Sequence, residues 1–142
     1  MAGSTVAPAL EPLRFLEGEW EMELSGAAFL PDGEVVRATA QFEFIDGGRF
    51  LALRQAGDAT WMIGRDDSSE SYTVLYSDER GVSRVYAMSF ERDAWRIWRD
   101  GEPFAQRFEA IVSADRDVIT GRWEKRPGRD WELDFALAYR RR

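Results

Sequence analysis

From Gly18 to Arg140 the chain alternates apolar and polar residues in ten short runs. Trp20, Met22 and Leu24 fall on one face and Glu19, Glu21 and Glu23 on the other, the period of two that marks a half-buried strand. Val36, Ala38, Ala40, Phe42 and Phe44 repeat it against Arg37, Thr39, Gln41 and Glu43. Further runs lie at about 49 to 55, 60 to 66, 71 to 77, 82 to 90, 94 to 99, 104 to 112, 117 to 125 and 131 to 140. Between the runs stand turn-forming clusters: Pro31-Asp32-Gly33, Asp46-Gly47-Gly48, Gly57-Asp58, Asp67-Ser68-Ser69, Asp78-Glu79-Arg80-Gly81, Arg92-Asp93, Asp100-Gly101-Glu102-Pro103, Ala114-Asp115-Arg116 and Pro127-Gly128-Arg129. Each is too short for a helical crossover, so neighbouring strands must pair antiparallel in a meander. Ahead of them, the segment from Pro8 to Leu16 spaces Leu10, Leu13 and Leu16 by three, which predicts a short helix with one apolar stripe, suited to plug a barrel end. The expected fold is all-β: a ten-stranded antiparallel up-and-down barrel with a short N-terminal helix, one domain over residues 1–142 with residues 1–7 as a flexible N-terminus.

Length supports this, because a domain of 142 residues buries roughly 70% of the surface its unfolded chain exposes and needs no staple. Cysteine is absent, which excludes disulfides, thiolate nucleophiles and cysteine metal sites. Histidine is absent too, and with it Ser-His-Asp catalysis and histidine ligation of zinc or haem. The one lysine, Lys125, is the sole candidate for Schiff-base chemistry. A net charge of −7 argues against nucleic acid as a partner, since that binding depends on basic neutralisation. The first seven residues lack a signal-peptide pattern, and no run approaches the roughly 20 apolar residues of a membrane span, so a cytoplasmic protein with no membrane partner is expected.

Candidate chemistry lies where polar residues share a face with aromatics. In the run from Val82 to Phe90 the bulky set is Arg84, Tyr86, Met88 and Phe90, while Ser83, Val85, Ala87 and Ser89 are small. With the bulky set inward, Arg84 is a cation inside a barrel and demands a partner. A ligand carboxylate fits, and so does a structural ion pair with Asp66, Asp78 or Glu124. The same spacing aligns Trp61 with Ile63; Tyr72, Val74 and Tyr76; Trp95, Ile97 and Arg99; and Phe104, Gln106 and Phe108. Six Trp, nine Phe and four Tyr fill a small core, and a wall mixing them with a few polar groups also forms a small-molecule pocket. The acidic stretch Asp66-Asp67 with Glu70 lacks the alternating ligands and central glycine of a calcium loop and reads as a solvated turn, so no metal site is expected.

The Gly18-x-Trp20 start after a short helix, with a meander ending in arginine, resembles the calycin superfamily of lipocalins and fatty-acid-binding proteins. That resemblance implies a tryptophan across the barrel base capped by an arginine of the last strand, here Arg140 or Arg141. The segments Trp61-Met62-Ile63-Gly64-Arg65-Asp66, Tyr76 to Tyr86, Gln106-Arg107-Phe108 and Gly121-Arg122-Trp123-Glu124 are similar to a family of uncharacterised bacterial lipocalin-like proteins, over roughly residues 12 to 140. The family carries no established reaction. The related haem-binding nitrobindins share the Gly-x-Trp start but ligate iron through histidine, which this chain lacks. Fatty-acid-binding proteins hold a carboxylate with arginine and tyrosine, and Arg84 with Tyr86 or Tyr76 matches by residue type.

These readings converge on binding of a small apolar or amphipathic, possibly anionic, molecule inside the barrel, with Trp61, Tyr76, Arg84, Tyr86, Met88, Gln106 and Phe108 as ligand-binding candidates and no cofactor. The alternative is a cofactor-free isomerase or cyclase, with Asp66, Asp78 or Glu124 shifted toward neutrality by burial and Tyr76 or Tyr86 as proton donor. A third reading is a filled barrel that associates with proteins through exposed Trp98 or Trp123; a homodimer is a further possible partner state.

Overall fold

The computed structural model describes residues 5–27, 30–55, 58–101 and 105–142. Residues 1–4, Gly57, the Glu102-Pro103 pair and Phe104 lie outside them. A 3-10 helix (Pro8–Leu16) precedes ten strands: β1 (Gly18–Ser25), β2 (Val35–Ile45), β3 (Phe50–Gln55), β4 (Ala59–Arg65), β5 (Tyr72–Ser77), β6 (Ser83–Glu91), β7 (Ala94–Arg99), β8 (Ala105–Val112), β9 (Val118–Arg126) and β10 (Glu132–Arg141). Each strand pairs antiparallel with the next, and β1 pairs with β10 to close the barrel. Closure removes the edges that an open sheet of this size leaves exposed.

The period of two decides what faces inward. Trp20 and Met22 of β1, Ile63 and Trp61 of β4, Met88 and Tyr86 of β6, and Trp95 and Ile97 of β7 are all buried. The intervening positions carry charges that pair across strands on the outside, such as Arg54 with Glu43 at 3.0 Å and Arg107 with Glu124 at 2.7 Å. The Arg54–Glu43 pair, half exposed to water, contributes little and serves mainly to keep the outer face polar.

The N-terminal segment closes one end. A helix with three residues per turn stacks positions i and i+3, so Leu10, Leu13 and Leu16 form a single stripe, each at most 1% exposed. Tyr72 of β5 donates its hydroxyl to the Ala9 carbonyl at 3.1 Å, and Trp20 donates its indole N–H to the Leu16 carbonyl at 2.8 Å. Just before the helix, the Ala7 N–H donates to the Gly48 carbonyl at 2.9 Å. Gly48 allows this approach, because a Cβ there would stand 1.8 Å from the Thr5 carbonyl oxygen, and its φ of +81° suits glycine alone.

Arg141 locks the same end. Its guanidinium lies 4.3 Å from the Trp20 ring centroid, and it donates to the carbonyls of Phe15 at 2.6 Å and Arg116 at 2.8 Å and to the Asp117 carboxylate at 2.9 Å. Of the two arginines the sequence offers, Arg141 takes the place over the tryptophan. The chain thus closes the base of its barrel with an arginine over a tryptophan.

One departure from simple alternation occurs in β10, where the pairing with β9 shifts between Leu133 and Phe135. The irregularity turns Leu133 out to water at 51% exposure, while Phe135, Leu137 and Tyr139 point toward the interior.

Candidate functional site

The half of the barrel away from the N-terminal helix holds a cavity of about 340 Å³. That volume lies at the small end of the roughly 300–1,000 Å³ range of small-molecule sites. Its depth follows from register. Trp95, Ile63 and Val74 lie toward the plugged end; Met22, Leu53, Ile97, Phe108 and Leu137 form the middle; Leu24, Val36, Ala59, Tyr76 and Arg84 stand toward the opposite end.

Six of the seven residues singled out from the sequence line this space: Trp61, Tyr76, Arg84, Tyr86, Gln106 and Phe108. Trp61, Tyr76 and Arg84 are successive cross-strand partners on β4, β5 and β6, which brings two rings and a guanidinium to one level of the wall. Met88 stands apart. It is fully buried, opposite Tyr72 and Ile97, one inward position nearer the plug than Tyr86, and belongs to the core beneath the cavity.

Ring packing stiffens the wall. The Trp61 centroid lies 4.7 Å from Tyr76, 5.3 Å from Tyr86 and 5.7 Å from Trp123, and Trp123 in turn lies 5.3 Å from Phe108. Trp123, a candidate for an exposed association residue, is instead buried in this cluster, because β9 presents it inward beside Phe108 of β8. Deeper, Trp95 stands edge-on to Phe108 at 5.2 Å, with its buried indole N–H finding no hydrogen-bond partner among the described residues.

Two hydrogen-bonded groups cross the apolar lining. Trp61 donates its N–H to Gln55 Oε1 at 3.1 Å, and Gln55 Nε2 donates to the Tyr139 hydroxyl oxygen at 3.0 Å. An indole N–H is a donor only, so it sets which end of the Gln55 amide faces it and hence which end faces Tyr139. Tyr86 donates its hydroxyl to Gln106 Oε1 at 2.5 Å, a separation typical of O–H···O rather than N–H···O bonds. Burial raises the pKa of Tyr86, an effect that Arg84 and Arg99 nearby partly oppose, and burial raises Tyr139 far more. Gln55 and Tyr139 were not singled out from the sequence. Gln55 continues the inward set Leu51 and Leu53, so a polar residue ending an apolar alternation was the available signal.

The three carboxylates considered as partners of Arg84 or as acids have other roles. Asp78 holds Arg80 at 2.6 Å and accepts the Tyr76 hydroxyl at 2.6 Å, and these contacts keep its pKa well below the usual carboxylate range. Asp66 accepts the backbone N–H and hydroxyl of Ser68, which also lower its pKa. Glu124 binds Arg107 on the outer face. Burial therefore does not shift Asp66 or Asp78 toward neutrality, contrary to the acid–base expectation, because each carboxylate is stabilised in its charged form. Among the described residues lining the cavity, none is acidic. The described residues contain no cluster of three or more acidic side chains placed to hold a metal, and no helix long and apolar enough to cross a membrane.

No protein-family model matches this chain, and no curated protein does. Among solved structures, the chain is similar to the crystal structure of Rv2717c from M. tuberculosis, at 15% sequence identity and a TM-score of 0.62, covering 96% of this chain and 99% of that one. A likeness at that identity, extending over nearly the whole of both chains, is one of fold: the closed ten-stranded barrel is a shared architecture.

Proposed function

We propose that this protein binds a small, compact apolar or amphipathic molecule inside its barrel. The observation that carries the reading is the aromatic-lined cavity of about 340 Å³ in the half of the barrel away from the N-terminal helix. Aromatic rings fixed by mutual contact present a preformed apolar surface, so a ligand gains burial without ordering the wall. Binding is favoured over acid–base chemistry by Asp66 or Asp78 because both carboxylates are stabilised in their charged form and neither lines the cavity.

Calorimetric titration with 1-anilinonaphthalene-8-sulfonate tests this. One probe molecule per chain is expected, with binding abolished in Ala38→Trp, which projects an indole into the cavity from β2. Equal binding by Ala38→Trp, its far-ultraviolet spectrum unchanged, places the probe outside the barrel and removes the proposal.

A further inference from the structure

We infer that the cavity selects ligands that accept hydrogen bonds and donate none: a planar apolar body carrying a carboxylate or a conjugated carbonyl. This rests on the binding reading above and adds the chemistry of the occupant. Each neutral side-chain amide or hydroxyl oxygen on the wall is already engaged. Gln55 Oε1 takes the Trp61 N–H, Tyr139 Oη takes a Gln55 N–H, Gln106 Oε1 takes the Tyr86 hydroxyl, and the Tyr86 and Tyr76 oxygens, whose hydroxyls donate to Gln106 and Asp78, face the guanidinium groups of Arg84 and Arg80. What remains uncommitted is protons. The Tyr139 hydroxyl hydrogen, the second Gln55 N–H and both Gln106 N–H groups have no acceptor among the described residues.

Charge points the same way. Arg84 lines the cavity at the level of Tyr76. No acidic side chain lines the cavity among the described residues, and its uncommitted side-chain protons are donors. A ligand oxygen satisfies them. An ammonium or hydroxyl donor meets only the second lone pairs of oxygens already in use, and a desolvated donor left unmatched loses affinity. The ring cluster of Trp61, Tyr86, Trp123 and Phe108 favours a flat body for the apolar part.

The test uses one skeleton with three substituents, 2-naphthoate, 2-acetylnaphthalene and 2-naphthylmethylammonium, titrated into the full-length protein by calorimetry at neutral pH. The naphthoate and the ketone are expected to bind at least about tenfold more tightly than the ammonium. Gln106→Glu, which exchanges the uncommitted amide donors for an acceptor of the same shape, should narrow that ratio by about tenfold or invert it. Tyr139→Phe, which keeps the ring, should weaken the ketone by at least about threefold and leave the ammonium unchanged, so selectivity stays testable if the glutamate variant does not fold. Equal affinities for all three, or preference for the ammonium, overturn the selectivity and leave the binding cavity standing. Failure of all three to bind overturns both.

Discussion

Arg141 concentrates several functions in one side chain. It covers the Trp20 ring, holds carbonyls of the segment after Arg14 and of the β8–β9 turn, and pairs with Asp117, so it joins both chain ends to the barrel base. A planar fork is needed to serve three directions at once. Arg141→Ala is expected to destabilise the fold by about 2–4 kcal/mol in urea denaturation, combining a cation–ring contact with hydrogen bonds from a charged donor. Arg141→Lys should recover less than half of that loss, because a single ammonium cannot span Phe15, Arg116 and Asp117 together. Full recovery by lysine would reduce the role to charge alone. The presence of an arginine at the end of the last strand is readable from sequence, but the choice of Arg141 over Arg140 depends on β10 register, which places Trp20 opposite Arg141.

The elements themselves were largely readable, because alternation is a local property that survives closure into a barrel. The N-terminal helix was readable for a related reason. Leucines spaced by three fit a 3-10 turn, and the observed helix buries those three residues. Leu13, fully buried under this helix, should cost about 2–5 kcal/mol when truncated to alanine, measured by denaturant midpoint, through lost burial and the cavity left behind. A cost below about 1 kcal/mol would mean that the helix is a loose cover rather than part of the core. What alternation did not disclose is the shift between Leu133 and Phe135, since a bulge leaves the polar pattern intact while exchanging which residues face inward. The burial of Trp123 was hidden likewise by strand pairing: its ring neighbours come from β4, β6 and β8.

At the scale of the whole molecule, the cavity is a product of closure, and no single strand carries it. Six of its lining residues were identifiable because each is a bulky or polar residue on an inward face. Met88 shares that face yet lies below the cavity floor, because depth along the barrel is set by stagger between strands and not by sequence spacing. Gln55 and Tyr139 escaped notice because their pairing spans 84 residues, a contact created only when β3 and β10 face each other across the closed barrel. The central claim, that this interior receives one compact molecule, is tested most directly by native mass spectrometry of the purified protein after incubation with a cell extract. The account predicts one small molecule per chain, released on denaturation and absent from Ala38→Trp. A wild-type protein that retains none, and that also fails to retain added 1-anilinonaphthalene-8-sulfonate, would contradict it.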